Sequence, residues 1–236
     1  FGGKQIPVNS DNGKFENLTI EGNGNTIYNF VNIHPTMRSS EQGGMVALFP
    51  IVYGAKVNGL NIKDAEVDAG NGESAYAAIL FGRTFHTVEL NGVNIEDCDV
   101  KGTNKVGGLI GSVMQNSIVV KKSGVVESTI ETYDVAQESG LAGGLIGYIS
   151  CVEEAKLVAA STIEECYVKN TTLNVINSRK DNTRANSEFI GGIGGEKNDN
   201  LFINKAKVEK NTFTETVATE YKPLHKLVGG TRGEFN

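Results

Sequence analysis

One five-residue word is spelled twice in this chain, as Gly107-Gly108-Leu109-Ile110-Gly111 and as Gly143-Gly144-Leu145-Ile146-Gly147. Looser copies stand before it, at Val46-Ala47-Leu48-Phe49-Pro50 and Ala77-Ala78-Ile79-Leu80-Phe81-Gly82. Others follow, at Gly191-Gly192-Ile193-Gly194-Gly195 and Gly229-Gly230-Thr231-Arg232-Gly233, with a last repeat beginning at Leu227. A word recurring at such intervals marks a repeat architecture, in which one supersecondary unit is stacked many times. Helices carry it poorly, because each Gly costs about 1 kcal/mol relative to Ala in a helix interior. Short strands joined by turns carry it well, and 29 glycines with no Trp agree with that.

A second word follows each Gly-rich one. Its copies are Ile62-Lys63-Asp64-Ala65-Glu66-Val67, Ile95-Glu96-Asp97-Cys98-Asp99-Val100 and Val125-Val126-Glu127-Ser128-Thr129-Ile130. Ile163-Glu164-Glu165-Cys166-Tyr167-Val168 and Ile203-Asn204-Lys205-Ala206-Lys207-Val208 complete the series, at successive spacings of 33, 30, 38 and 40 residues. The excess length falls in the polar segments 131–140, 177–188 and 212–223, which read as loops added to one unit.

Parity sharpens this. Residues two apart on a strand face the same way. Leu60 and Ile62 share one face, and Ala65 and Val67 share another, so a continuous strand cannot bury all four. A corner at Lys63-Asp64 can, and the same break recurs at Glu96-Asp97 and Glu164-Glu165. Small residues (Ala65, Cys98, Ser128, Cys166, Ala206) stand just past the corner, where a narrow core has little room. Phe15 to Phe30 reads as strand, tight turn at Gly22-Asn23-Gly24-Asn25, and strand. The expectation is an all-β solenoid of short strands and corners; a β-sandwich also has many short strands but does not demand the same word in each repeat.

At 236 residues the chain is long enough to bury a core as one domain spanning 1–236, with 1–14 as a cap or a trimmed segment. The net charge of -6 comes with no Lys/Arg cluster, which excludes nucleic acid as an expected partner. The longest apolar run, around Met45 to Tyr53, contains Pro50 and is too short to span a bilayer. Phe1 is not an initiator Met, so a mature or trimmed form is expected. Three cysteines, Cys98, Cys151 and Cys166, fit neither a disulfide framework nor a zinc site. Cys98 and Cys166 are placed in one small-residue column two coils apart, beyond disulfide reach, and read as buried free thiols. His34, His86 and His225 are isolated, and no metal-ligand spacing or Ser/His/Asp order appears.

Gly-Leu-Ile-Gly words followed by an I-x-x-[AC]-x-V strand resemble the GLUG-type repeats of bacterial cell-surface proteins, and Gly108-Leu109-Ile110-Gly111 and Gly144-Leu145-Ile146-Gly147 match that word closely. Glu21-Gly22-Asn23-Gly24-Asn25-Thr26-Ile27 is similar to the coil that precedes such repeats. The resemblance covers roughly residues 15 to 233 and departs from the pattern at Met45 to Pro50, Ile193 to Gly195 and Thr231-Arg232. It implies a right-handed parallel β-helix on an exported, adhesin-like protein of the kind frequent in gut Bacteroidetes, extracellular or on the outer-membrane surface. That family shares no catalytic residues, so none is carried over.

The constellation with most chemical interest is the corner column Asp64, Asp97, Glu127 and Glu165, with Lys205 in the last copy. Stacked about 4.8 Å apart, such carboxylates can hold Ca²⁺ or raise one another's pKa. The plainer reading is that corner carboxylates accept turn hydrogen bonds and stay in water. Seven tyrosines offer a sugar-stacking surface, or serve as rim and core. The sequence thus points to a non-catalytic, monomeric display domain without a cofactor, calcium apart. Its partner is a host or bacterial surface protein or glycan, bound on loops 131–140 and 177–188. The alternatives are a polysaccharide lyase or glycosidase using Asp64, Asp97 or Glu165 as acid/base, and a purely structural stalk.

Overall fold

A computed structural model of the chain describes residues 14–34, 44–72, 74–114, 117–135, 140–150, 161–177, 186–194, 201–217 and 227–229. Every strand pair among them is parallel, and the strands lie in four sheets of nine, six, six and four. The chain visits these sheets in cyclic order. Phe49–Asn58 lies in the first, Asn61–Lys63 in the second, Glu66–Asp68 in the third and Tyr76–Ala78 in the fourth. Phe81–Asn91 then returns to the first sheet beside Phe49–Asn58, one coil on. The fold is therefore all-β, with a solenoid-like path and single strands set parallel between coils.

The corners follow from backbone conformation. Asn29, Asp64, Asp97, Glu127, Asn170 and Lys210 all have positive φ, from 50° to 56°, and turn the chain from the second sheet to the third. Gly59, Gly92, Lys122, Glu165 and Lys205, at 48° to 65°, turn it from the first to the second. An α-left residue reverses strand parity, so the inward rows on both sides of a corner stay inward. Val57, Leu90, Val120 and Ile163 form one such row, at 0–1 % exposure. Ile62, Ile95, Val125 and Val168 form the next, and Val67, Val100, Ile130 and Leu173 the third. Fully burying each such side chain contributes about 1.5–3 kcal/mol.

The Gly-rich word is the corner from the fourth sheet into the first. Gly107 ends the strand Lys105–Gly107, and Ile110 opens the strand Ile110–Met114. Gly108 N–H donates to Gly144 O at 3.1 Å in the next coil. A β-carbon on Gly108 would overlap that oxygen, and one on Gly111 would lie 2.6 Å from Gly82 O. The glycines serve close approach between coils; positive φ belongs to the other corners.

The register corrects several expectations. Ile146 pairs with Ile190, so the fifth copy is Phe189-Ile190-Gly191, not Gly191 to Gly195. Val228 bridges Ile190, so the sixth is Leu227-Val228-Gly229, in line with the start at Leu227. Val125 pairs with Val168 and Val168 with Val208, giving spacings of 33, 30, 43 and 40. Segment 212–223 is not all loop: Thr212–Val217 is a strand pairing with Thr172–Asn177. Loops 131–140 and 177–188 yield strand at their starts, through Thr129–Thr132 and Thr172–Asn177. Residues 136–139, 178–185 and 218–223 lie outside the described residues, as do 1–13.

The long first-sheet strands also kink, at Asn17, Gly54 and His86, where φ is 50°, 77° and 61°. In later coils the strand divides there. Ile110–Met114 and Ile118–Lys121 pair with the two halves of Phe81–Asn91. Ile146–Ser150 and Ser161–Glu164 continue the division, as do Ile190–Gly194 and Leu201–Asn204. Much of the extra chain length enters at this kink, a place the sequence reading did not mark.

Candidate functional site

The expected acidic column is two columns. Asp64, Asp97 and Glu127 stack on the corner between the second and third sheets; Glu165 belongs to the preceding corner, one five-residue word earlier. There Glu165 stacks with Lys122 and Lys205, and Lys205 Nζ lies 2.9 Å from its Oε1. Lys205 beside it, by hydrogen bond and charge, holds the Glu165 carboxyl below the ordinary range.

Glu96, Asp97 and Glu127 are exposed, with carboxylate oxygens all within 4.8 Å of one another. Lys63 Nζ reaches into this group, 2.8 Å from Glu96 and 3.1 Å from Asp97. Its hydrogen bonds to Glu96 and then Asp97 raise the lysine pKa. The ammonium thus supplies positive charge that a cation would otherwise bring. Lys63 is placed against two of the three carboxylates, and Asp64 takes no part in the cluster.

Among the described residues, surface clefts lie on two of the sheet faces. The larger, about 650 Å³, lies over the outer side of the first sheet. Lys56, Glu89, Lys121, Lys122, Glu164 and Glu165 rise from adjacent rungs around it. Lys121 pairs with Glu164 at 3.4 Å. The smaller, about 340 Å³, lies on the third sheet among Glu66, Asp68, Asp99, Lys101, Glu131 and Tyr133. Tyr133 Oη donates to Asp68 Oδ2 at 2.8 Å, and Lys101 Nζ sits 4.4 Å over its ring. Desolvation and then this bond to Asp68 push the Tyr133 hydroxyl up to about 12, so it stays protonated as a donor. Hydrogen bonds from Asn174 and then Lys101 hold Glu131 below the usual carboxylate range. Sequence reasoning missed this groove because its groups lie on strand faces, where alternation hides them among ordinary polar positions.

A third cluster joins cations to rings in and around a second, smaller apolar cluster of Met45, Ile51 and Tyr76. Arg83 lies 5.1 Å over Tyr76 and 5.6 Å over Phe85. Lys105 Nζ lies 4.6 Å over Tyr76 and 5.2 Å over Tyr148. Tyr53 stacks on Phe85 at 4.8 Å, with planes 10° apart. Tyr76 and Tyr148 are buried, so they are structural rings rather than a free platform; Tyr28 is 59 % exposed. Tyr221 and His225 lie outside the described residues. His86 is exposed, with its ring edge on Tyr53 at 5.5 Å.

Cys98 and Cys166 are free and buried, as expected, but occupy different columns. Cys98 stands with Ala65 and Ser128, whereas Cys166 stands with Ser123 and Ala206. Burial pushes both thiols up to about 11. Cys151 lies outside the described residues. Further on, burial raises the pKa of Glu215, whose Oε1 accepts hydrogen bonds from Asn186 N and Nδ2 at 2.9 and 2.7 Å. Asn186 also bonds Ala142 N and Gly140 O in the neighbouring coil, so this carboxylate braces the stack.

No helix of the described residues is long and apolar enough to cross a membrane. No protein-family model, curated protein or solved structure matches this chain.

Proposed function

We propose that this chain is a right-handed parallel β-helix that displays a recognition surface, on a secreted or cell-surface protein of the adhesin-like kind. Handedness rests on the right-handed rule for parallel crossovers. The surface reading rests chiefly on the first-sheet cleft. Its charged side chains spring from strand rungs of a sheet whose other side is the core, so their points of attachment are set before any partner arrives. Charges of both signs alternate along it, with aliphatic stems and asparagines between them. Such a surface suits a polar partner presenting many hydroxyls and scattered charge, a glycan or a glycosylated protein face. The GLUG-like words point the same way.

The chemistry of Glu131 and Glu165, the acids of the two clefts, fits recognition rather than turnover. A glycosidase needs one carboxylic acid kept protonated near neutral pH beside an ionised partner. Glu131 and Glu165 are driven toward ionisation by lysines and an asparagine, and Tyr133 is held protonated. Each is engaged by a neighbouring side chain.

A glycan array, read beside a polysaccharide degradation assay, tests the proposal. Binding that falls at least about tenfold in Lys121→Ala and Glu164→Gln, with no new reducing ends or unsaturated products, is the expected result. Degradation products that disappear in Glu131→Gln or Tyr133→Phe would move the function to the third-sheet groove and sink the display reading.

A further inference from the structure

The stack ends in strand edges that have no further strand beside them among the described residues, apart from Ile190, which Val228 already bridges at the last end. At one end Lys14–Glu21, Thr26–Tyr28 and Val31–Ile33 pair only inward, with the next coil. At the other, Leu201–Asn204, Lys207–Glu209 and Thr212–Val217 pair only with the preceding one. Phe15, Leu18, Ile20, Ile27 and Phe30 face the core at the first end but are only partly buried. Ile203, Val208 and Phe213 do the same at the last. Tyr28, Val31, Ile33 and Phe202 are 59, 44, 46 and 55 % exposed. Open parallel edges with half-covered apolar rows are templates for another strand layer.

We propose that the two ends take each other: the first coil of one copy docks on the last coil of a second copy, in the register the stack already uses. The two ends carry the same rows. Advancing the register by one coil sets Ile20 on Ile203, Ile27 on Val208 and Asn32 on Phe213, continuing the three inward rows. On the outer side it sets Thr19 against Phe202, Tyr28 against Glu209, Val31 against Thr212 and Ile33 against Thr214. β-Branched and aromatic cross-strand pairs of this kind are favourable, and no like charges fall opposite each other. Glu21 meets Asn204, and that glutamate–asparagine rung already occurs twice in this column. Asn58 Nδ2 donates to Glu21 at 2.8 Å, and Asn204 Nδ2 donates to Glu164 at 3.4 Å. Charge agrees as well. Residues 14–34 carry Lys14 against Glu16 and Glu21, net -1. Residues 201–217 carry Lys205, Lys207 and Lys210 against Glu209 and Glu215, net +1. The interface joins unlike ends and does not close, so copies add in a line. A chain of this kind is a multivalent rod rather than the monomer the sequence suggests.

Sedimentation velocity over a concentration series tests this, with two blocked variants. Val31→Lys with Ile33→Lys blocks the first end, and Thr212→Lys with Thr214→Lys blocks the last. All four positions face outward and are exposed, so the fold is retained, which far-UV circular dichroism checks. Wild type is expected to grow in mean mass with concentration. Each variant alone is expected to remain monomeric, and an equimolar mixture to give a one-to-one dimer and nothing larger. A wild type monomeric up to about 1 mM overturns the proposal, as does a single-end variant that still associates. In either case the edges belong to some other occupant.

Discussion

Lys122 occupies the backbone position that Gly59 and Gly92 occupy in earlier coils, all three with positive φ. An L side chain there is strained by about 1–2 kcal/mol. Lys122→Gly should therefore raise the thermal midpoint, and Gly92→Val should cost about 1–2 kcal/mol in urea unfolding. The cysteines have internal controls of the same kind. Ser128 Oγ sits one coil beyond Cys98, accepts from Cys98 N–H at 3.1 Å and donates to Val126 O at 2.8 Å. Ser123, in the Cys166 column, likewise donates to Lys121 O at 2.7 Å. Cys98→Ser and Cys166→Ser should fold with losses of less than about 1.5 kcal/mol, because the column supplies hydroxyl partners. Neither thiol should react with a disulfide reagent until the chain unfolds. Gly108→Ala has no such latitude, since its β-carbon meets the Gly144 carbonyl oxygen, and a loss of about 1–3 kcal/mol is expected. Glu215 adds a pH signature. Its pKa is raised on folding, so the folded state holds the proton more tightly than the unfolded chain. Stability from this group is therefore lost as pH rises from the unfolded carboxylate value, about 4.3, through the raised folded one. Glu215→Gln keeps the acceptor for Asn186 without the charge. It should flatten that part of the stability–pH curve; an unchanged curve would remove Glu215 from the account.

At the scale of one strand and its corner, the sequence was legible in type and ambiguous in register, for one reason. The unit is five residues long, an apolar residue, two others, a small or aliphatic residue and one more. It runs Val57, Ile62, Val67 in one coil and Ile163, Val168, Leu173 in another. Three successive words per coil look alike, so Ile163 could be matched to Val125 although it lies over Val120. That slip of one word put Glu165 beneath Glu127 and Cys166 beneath Ser128. The corner itself was readable, because five is odd and only a parity break buries every word. Hydrogen bonding across corners left no mark on the local pattern, and Lys63 shows the consequence. It neutralises two carboxylates on the next coil, 33 and 34 residues away. Lys63→Met should leave Glu96, Asp97 and Glu127 repelling one another. The variant should melt lower than wild type and regain stability with added calcium. Equal melting with and without calcium would show that the cluster needs neither cation.

For the whole molecule, the coil is the unit of folding, and its length is fixed by pairing rather than by word spacing. Asn91 pairs with Lys121, so one turn of the path here takes 30 residues. Deleting Gly92 to Lys121 joins Asn91 to Lys122 and should remove one complete coil without disturbing the others. Phe81–Asn91 would then meet Ile146–Ser150 and Ser161–Glu164, and Asn61–Lys63 would meet Gly124–Val126. Every inward row would stay filled, with Leu90 beside Ile163, Ile62 beside Val125 and Val67 beside Ile130. A solenoid whose stability is a sum over repeats and their nearest-neighbour contacts tolerates this loss. The shortened chain should keep its strand signal in circular dichroism and unfold cooperatively in urea. Its denaturant slope should be smaller by roughly one eighth, in proportion to the surface removed. Deleting Gly92 to Val120 instead, one residue fewer, shifts the following chain by one position. The rows past the join would then point outward, because a single-residue slip exchanges the two faces of a strand. That chain should not fold. If both deletions behave alike, the register that places these surface groups is wrong.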